Sequence, residues 1–362
     1  MSINNEGARG VGGVIGSYFS LTKPRVVVLL QITAICATLS HDMLSGTGLG
    51  TGTLETMAVV LVGGYLTAGG ANAINMWYDR DIDPMMKRTA QRPIPSGEVS
   101  PNSALLFGVI ISILGTFWLV MMANEIAAFW AAFSVIFYVL VYSIWLKRST
   151  PQNIVIGGIA GSTPPLVGWA AAESDLQIST ESVTLFFESI TEMGSLMPWF
   201  MFVLIFLWTP PHFWALALYR SEEYGKVGVP MMPNVKGAER TLFEMKIYAI
   251  LLIVLSAVSP IAYGGLDRGD ILYHVLGWNA VIMSAWYAST IWRIDLDEVP
   301  DEDGRKATAS RSFFDSMIYL ALVFVMLVMS SMGVSGAVVG ALFTIGIIAR
   351  IEWTKRASLG AS

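Results

Sequence analysis

Asn72-Ala-Ile-Asn75-Met-Trp-Tyr-Asp79-Arg-Asp81-Ile-Asp83-Pro84 closes an apolar run that begins near residue 55. Three oxygen-bearing side chains in it, Asn75, Asp79 and Asp83, recur at every fourth residue. On an α-helix each such step turns by about 400°, so the three drift only about 40° per step and share one face. Asn72, three residues back, lies on the same side, whereas Asp81 points away. Pro84 disfavours helical geometry at Asp83, so the helix is expected to end there. Oxygen ligands stacked a turn apart suit a hard cation such as Mg²⁺, which keeps waters and takes one or two carboxylates plus phosphate oxygens. Asp79 and Asp83 are the candidate metal ligands, with Asn75 in support. Cations follow at once in Lys87-Arg88-Thr-Ala-Gln-Arg92-Pro-Ile-Pro-Ser-Gly97. Carboxylates followed by cations fit an anion held partly through metal and partly by Arg forks, and a diphosphate answers that description. Taken singly, these residues read as polar helix ends and membrane anchors. Taken together they do not, because a helix C-terminus disfavours acids electrostatically.

The rest of the chain says what kind of helix this is. Of 362 residues, 54% are hydrophobic and 14% charged, against about 25% charged in a soluble domain. Mean hydropathy is +0.60. Three His, one Cys and a net charge of −5 argue against a zinc cluster, a disulfide framework and a nucleic-acid partner. The chain reads as an all-α polytopic protein of the lipid bilayer. Runs long enough to span fall at about 25–42, 55–78, 102–122, 125–146, 153–172, 197–219, 242–264, 271–292, 313–332 and 334–350. The tenth is short. With both termini in the cytoplasm, every one of the 22 Lys and Arg residues except Arg268 falls on the inner side, as the positive-inside rule asks. The expected organisation is a cytoplasmic arm over 1–20, a membrane domain over 21–332, and an extra helix with a cytoplasmic tail over 333–362.

A second cytoplasmic segment follows the sixth span: Trp208-Thr-Pro-Pro-His212-Phe-Trp214, then Tyr219-Arg220-Ser-Glu222-Glu223-Tyr224, then Pro230-Met-Met-Pro233. It repeats the theme of helix end, acids, cations and a Pro-bearing loop. Pro210 and Pro211 are expected to kink or break the helix and to leave His212 facing a cavity. A His inside a span is a candidate for proton transfer, substrate contact or metal ligation; a buried, satisfied His is the other reading. Tyr142, Lys147 and Arg148, at the end of the fourth span, offer further contacts to the anion. His41 and His274 read as interfacial, and Cys36 as a packing residue. The acids of residues 173–196 read as a polar cap on the external face.

At these residues the chain resembles the UbiA-type intramembrane prenyltransferases. Asn75-x-x-x-Asp79-x-x-x-Asp83 is similar to that superfamily's first aspartate-rich motif. Leu21-Thr-Lys-Pro-Arg25, Arg88-Thr, Arg92-Pro, Tyr142-Ser-Ile-Trp-Leu-Lys-Arg148, and above all Thr209-Pro-Pro-His-Phe-Trp214 with Pro230-Met-Met-Pro233, narrow the likeness to its protoheme IX farnesyltransferase branch. Ser316 to Leu320 is a weaker echo of the last common helix, and the likeness covers about residues 18–332. The resemblance implies a nine-helix bundle around a cytoplasm-facing cavity, here with an extra short C-terminal tenth helix. It implies transfer of a farnesyl group from farnesyl diphosphate to a vinyl group of haem b, with Mg²⁺ as cofactor, yielding haem o for terminal oxidases. It places Asp79, Asp83, Asn75 and His212 in catalysis, and Lys87, Arg88, Arg92, Tyr142, Lys147, Arg148, Arg220 and Asn72 on the diphosphate. The implied location is the cell membrane of a prokaryote, and the implied partners are haem A synthase or terminal-oxidase assembly factors. One departure is clear: the second acidic motif usually has Asp before the Tyr at position 224, where Glu222 and Glu223 stand here. Other readings left open are a prenyltransferase with a quinone-ring or glycerol-phosphate acceptor, a secondary transporter, and a structural subunit of a respiratory complex.

Overall fold

Apolar runs of this length leave the backbone one economical solution in lipid, which is to satisfy every N–H and C=O inside a helix. The computed structural model describes residues 11–359, apart from 175, 221–224, 226–227, 265–270 and 302–304, and those described residues are helices and connections without a strand. In chain order the helices are α1 (Val11–Leu21), α2 (Pro24–Leu44), α3 (Thr51–Tyr78), α4 (Pro101–Met122), α5 (Glu125–Ile136), α6 (Asn153–Ser162), α7 (Pro164–Ala172), α8 (Val183–Thr191), α9 (Met197–Tyr219), α10 (Met232–Lys236), α11 (Ala238–Ala257), α12 (Ser259–Ala262), α13 (Ile271–Trp292), α14 (Ala307–Ser331) and α15 (Val334–Leu359). α5 continues as a π-helix over Phe137–Leu146. Among the described residues, eight stretches are long and apolar enough to cross a membrane, and α11 and α13 also have the length of a span.

Several sequence expectations change. The tenth helix is not short: α15 runs for 26 residues, because Arg350, Glu352 and Lys355 continue it instead of ending it. Glu352 accepts from Trp286 Nε1 at 3.0 Å and from Arg293 at 2.8 Å, and Lys355 donates to Asp315 at 2.7 Å. The N-terminal arm carries α1. Pro210 and Pro211 do not break α9, which is one helix from Met197 to Tyr219. There the missing N–H groups cost two intrahelical bonds, while cross-bracing by Trp208 Nε1 onto Ser316 O at 2.9 Å holds the segment against α14.

Helices in lipid gain from close backbone approach at small residues, and α3 and α4 show how the sequence provides it. Gly63 and Gly70 on α3 face Gly115 and Gly108 on α4. A Cβ at Gly108 would lie 2.9 Å from Gly70 O, and one at Gly115 2.9 Å from Gly63 O. The pair therefore forms one rigid unit whose end carries the acidic motif.

At the opposite end of the bundle the loop after α7 is bonded shut. Trp130, Trp199 and Trp169, from three spans, donate their indole N–H groups to Ile190 O, Thr191 O and Met193 O at 2.9–3.0 Å. Asn124 Nδ2 donates to the carbonyls of Ala170 and Glu173. His41 is not interfacial. It is buried beneath this cap, with Nδ1 2.9 Å from Asp42 and Nε2 3.1 Å from Glu173.

Candidate active site

The acidic motif does not stay α-helical to Asp83. α3 ends at Tyr78, and two 3₁₀ turns follow, Asp79–Asp81 and Asp83–Met85. Each turn starts on one of the two inward acids. Asp79 and Asp83 are each 1% exposed, whereas Asp81 is exposed. The side chains thus divide as the four-residue spacing foretells, although the backbone tightens.

Each motif residue has a cation. Lys147 Nζ donates to Asp79 Oδ2 through a short contact. Arg92 Nη1 donates to both oxygens of Asp83, at 2.8 and 2.7 Å. Lys23 Nζ donates to Asn75 Oδ1 at 2.8 Å. Arg148 forks onto Asp81 with two bonds of 2.7 Å, lies over the Tyr78 ring, and comes to 3.8 Å from Asp79 Oδ1. Asp79 Oδ1 itself is buried and makes no hydrogen bond. That orphaned oxygen, beside Asp83 and an amide oxygen, is a hard-donor set of the kind Mg²⁺ takes. Among the described residues no three His, Cys, Asp or Glu side chains make a self-contained cage, so phosphate and water oxygens would complete any such shell.

Two elements aim these cations. The π-helix Phe137–Leu146 bonds residue i to i−5, as in Lys147 N to Tyr142 O at 2.8 Å. Such stretches are rare and are frequent at functional sites. Here the register brings Ser143 under Asn75, accepting from its Nδ2 at 3.0 Å while donating to Tyr138 O at 2.8 Å. Tyr138 and Tyr142 stack with ring centres 5.3 Å apart. Gly157 on α6 makes room for Tyr142, since a Cβ there would lie 2.3 Å from the ring. The second element is the joint between α1 and α2. Lys23 has φ 51°, ψ 62° and is, among the described residues, the one non-glycine with positive φ. A left-handed residue with a side chain costs roughly 1–2 kcal/mol, and it persists where surroundings over-determine it. Desolvation of its ammonium group, then repulsion from Arg92 and Lys147, lowers the Lys23 pKa to about 7.

His212 is buried, as the second of its two sequence readings has it: its ring lies between Trp208 and Phe313, with centres 4.2 and 4.6 Å away and planes within 24°. Its Nδ1 lies 2.5 Å from Ser316 Oγ. Ser316 spends its own proton on Phe313 O at 2.6 Å, so Oγ accepts and Nδ1 carries the hydrogen. Nε2 then holds a lone pair, and among the described residues nothing hydrogen-bonds to it.

The structure brings Asn75, Asp79, Asp83, Arg92, Tyr142, Lys147 and Arg148 together. Asn72 instead anchors the α1–α2 joint, donating to Thr22 O at 3.1 Å. Lys87 and Arg88 are exposed, without a partner among the described residues. Arg220 lies over Tyr219. Glu222 and Glu223 lie outside the described residues. Lys23, Ser143 and Tyr138 are the members that motif spacing missed; the runs Leu21-Thr-Lys-Pro-Arg25 and Tyr142-Ser-Ile-Trp-Leu-Lys-Arg148 held a signal for Lys23 and Ser143.

A family model described as the UbiA prenyltransferase family matches residues 33–302. The chain belongs to the UbiA prenyltransferase family. Within this UbiA family it is 42% identical, over 330 residues, to the protoheme IX farnesyltransferase of Beijerinckia indica, spanning 91% of this chain and 92% of that one. It is 38% identical to the protein of the same name from Bartonella tribocorum, over 92% and 96% of the two chains. Among solved structures it shares the fold of a digeranylgeranylglyceryl phosphate synthase (TM-score 0.64, 18% identity, 89% of this chain and 99% of that one). It also shares the fold of a UbiA homologue from Archaeoglobus fulgidus bound to GPP and Mg²⁺ (TM-score 0.53, 18% identity, 88% and 100%).

Proposed function

We propose that this UbiA-family prenyltransferase transfers a farnesyl group from farnesyl diphosphate to a vinyl group of haem b, giving haem o. The observation that carries the donor half is the pairing of buried Asp79 and Asp83 with Lys147 and Arg92 at the end of an apolar bundle. The acceptor half rests on the likeness to protoheme IX farnesyltransferases over nine-tenths of the chain.

Mg²⁺ held by Asp79 and Asp83, with Asn75 in support, would neutralise the diphosphate and help it leave. Arg92, Lys147 and Arg148 stabilise the charge that grows on the leaving oxygens. The C–O bond of farnesyl diphosphate breaks with its electron pair going to diphosphate. The vinyl π-electrons of haem b form the new C–C bond, and water adds to the resulting cation, releasing a proton and leaving a hydroxyalkyl group. The apolar walls keep water from the allylic cation before the vinyl group reaches it. His212, with its Nε2 lone pair, is the acceptor-side contact, oriented by Ser316. Both termini and the site face the cytoplasm in this reading.

The test is an incubation of membranes containing the protein with haem b, farnesyl diphosphate and Mg²⁺, with haem o sought by mass. Product is expected. Its absence, beside an active control, would overturn the haem acceptor and send the search to quinone-ring and glycerol-phosphate acceptors.

A further inference from the structure

Three oxygen ligands on one face are matched by three cations arriving from three different places. Lys23 comes from the α1–α2 joint, Lys147 from the end of the π-helix, and Arg92 from the loop after α3; they hold Asn75, Asp79 and Asp83 respectively. Each oxygen ligand has one directly hydrogen-bonded cation, and Arg148 stands 3.8 Å from Asp79 Oδ1 as well. Each cation is anchored by independent local structure: a left-handed backbone at Lys23, the i−5 register at Lys147, and the turn that bonds Arg92 N to Thr89 O at 3.0 Å. A metal ion arriving alone finds Asp79 Oδ1 without a hydrogen bond, but to gather the remaining oxygens it would have to strip them of their cations and leave those cations unpaired. A bare diphosphate would likewise have to strip the cations and leave two carboxylates and an amide oxygen unpaired. Stranding one member of a buried pair is costly in either direction. Brought together, metal and diphosphate satisfy both sides at once, because the oxygens pass to the metal as the cations pass to the phosphates.

We propose that metal and diphosphate load this site together by partner exchange, with Lys23 the capping cation on Asn75, released to the diphosphate when the metal takes the amide oxygen. The inference rests on the metal–diphosphate half of the reading above and is independent of the acceptor. It gives Lys23 a specific part: its side chain holds the amide oxygen against a lone metal ion and then joins the anion's contacts.

The probes are Mn²⁺, followed by electron paramagnetic resonance, and inorganic pyrophosphate, with the full chain in lipid nanodiscs. Lys23→Met should tighten binding of Mn²⁺ alone by about tenfold and weaken pyrophosphate binding at saturating Mn²⁺ by about tenfold, the size of an ordinary coupling between sites. Lys236→Met removes the same charge from an exposed position outside the site and should shift either affinity by less than about twofold. Lys147→Met makes the same measurement at Asp79 and decides the question if the Lys23 variant does not fold. Unchanged or weaker Mn²⁺ binding in the capping variants would overturn the exchange, as would an equal shift in Lys236→Met. Neither probe contains haem or a prenyl chain, so loss of the haem reading would leave this result standing, and failure here would leave haem o formation untouched.

Discussion

The proposed donor chemistry is tested most directly at Asp79, whose Oδ2 holds Lys147 while its Oδ1 is buried without a hydrogen bond. Asp79→Asn keeps the shape and removes the charge. It should lower farnesyl transfer by about 10²–10³, the usual cost of deleting one preorganised electrostatic contact, with the protein still monodisperse after extraction; wild-type turnover would refute the assignment. At His212 the expectation is spectroscopic. Ferric haem titrated into the wild type should give the absorption of an imidazole-ligated iron, and His212→Ala should lose it while pyrophosphate binding stays. Ser316→Ala frees the ring to take either tautomer and should weaken haem binding less than His212→Ala does. These side chains differ in how far sequence could find them. Asp79 and Asp83 were legible because a period of four is a local property. Lys23 could not be found by spacing, because 52 residues separate it from Asn75 and a left-handed residue before a proline leaves no periodic trace; only the family likeness of Leu21–Arg25 marked it.

Among elements, the π-helix and the α3–α4 pair make opposite demands on glycine. Gly157→Ala places a methyl against the Tyr142 ring and must push it from its stack with Tyr138. Since that register also delivers Lys147, the KM for the prenyl diphosphate should rise by about tenfold with folding intact, at an overpacking cost of roughly 1–3 kcal/mol. Gly108→Ala on α4 instead meets the backbone of α3. It should lower the thermal midpoint in detergent with little selective effect on KM. The spans themselves could be read from hydropathy and the charge of their flanks. The internal geometry of two of them could not. No hydropathy pattern separates a π-helix from the α-helix it extends, and the prolines of α9 break a helix only where neighbours fail to hold it.

For the whole molecule, the crowding of Lys and Arg at one end implies that residues near 148 and 356 share a side of the membrane. Single cysteines there, with Cys36 replaced, should both resist an impermeant thiol reagent applied to whole cells, and a substitution in α8 should label. α15 is a working part of the bundle, because Lys355 is the partner of the buried Asp315 next to Ser316. Lys355→Met should therefore destabilise the protein by roughly 1–3 kcal/mol, measured as a fall in the thermal midpoint. Sequence reasoning placed this helix beyond the common core and missed its role, because the tie is a pairing across 40 residues. The roof made by Trp130, Trp169 and Trp199 has a kinetic meaning of its own. With that end bonded shut, haem b and haem o are expected to share the passages that remain. Initial rates should then show product inhibition by haem o that is competitive with haem b, and a non-competitive pattern would speak for separate routes.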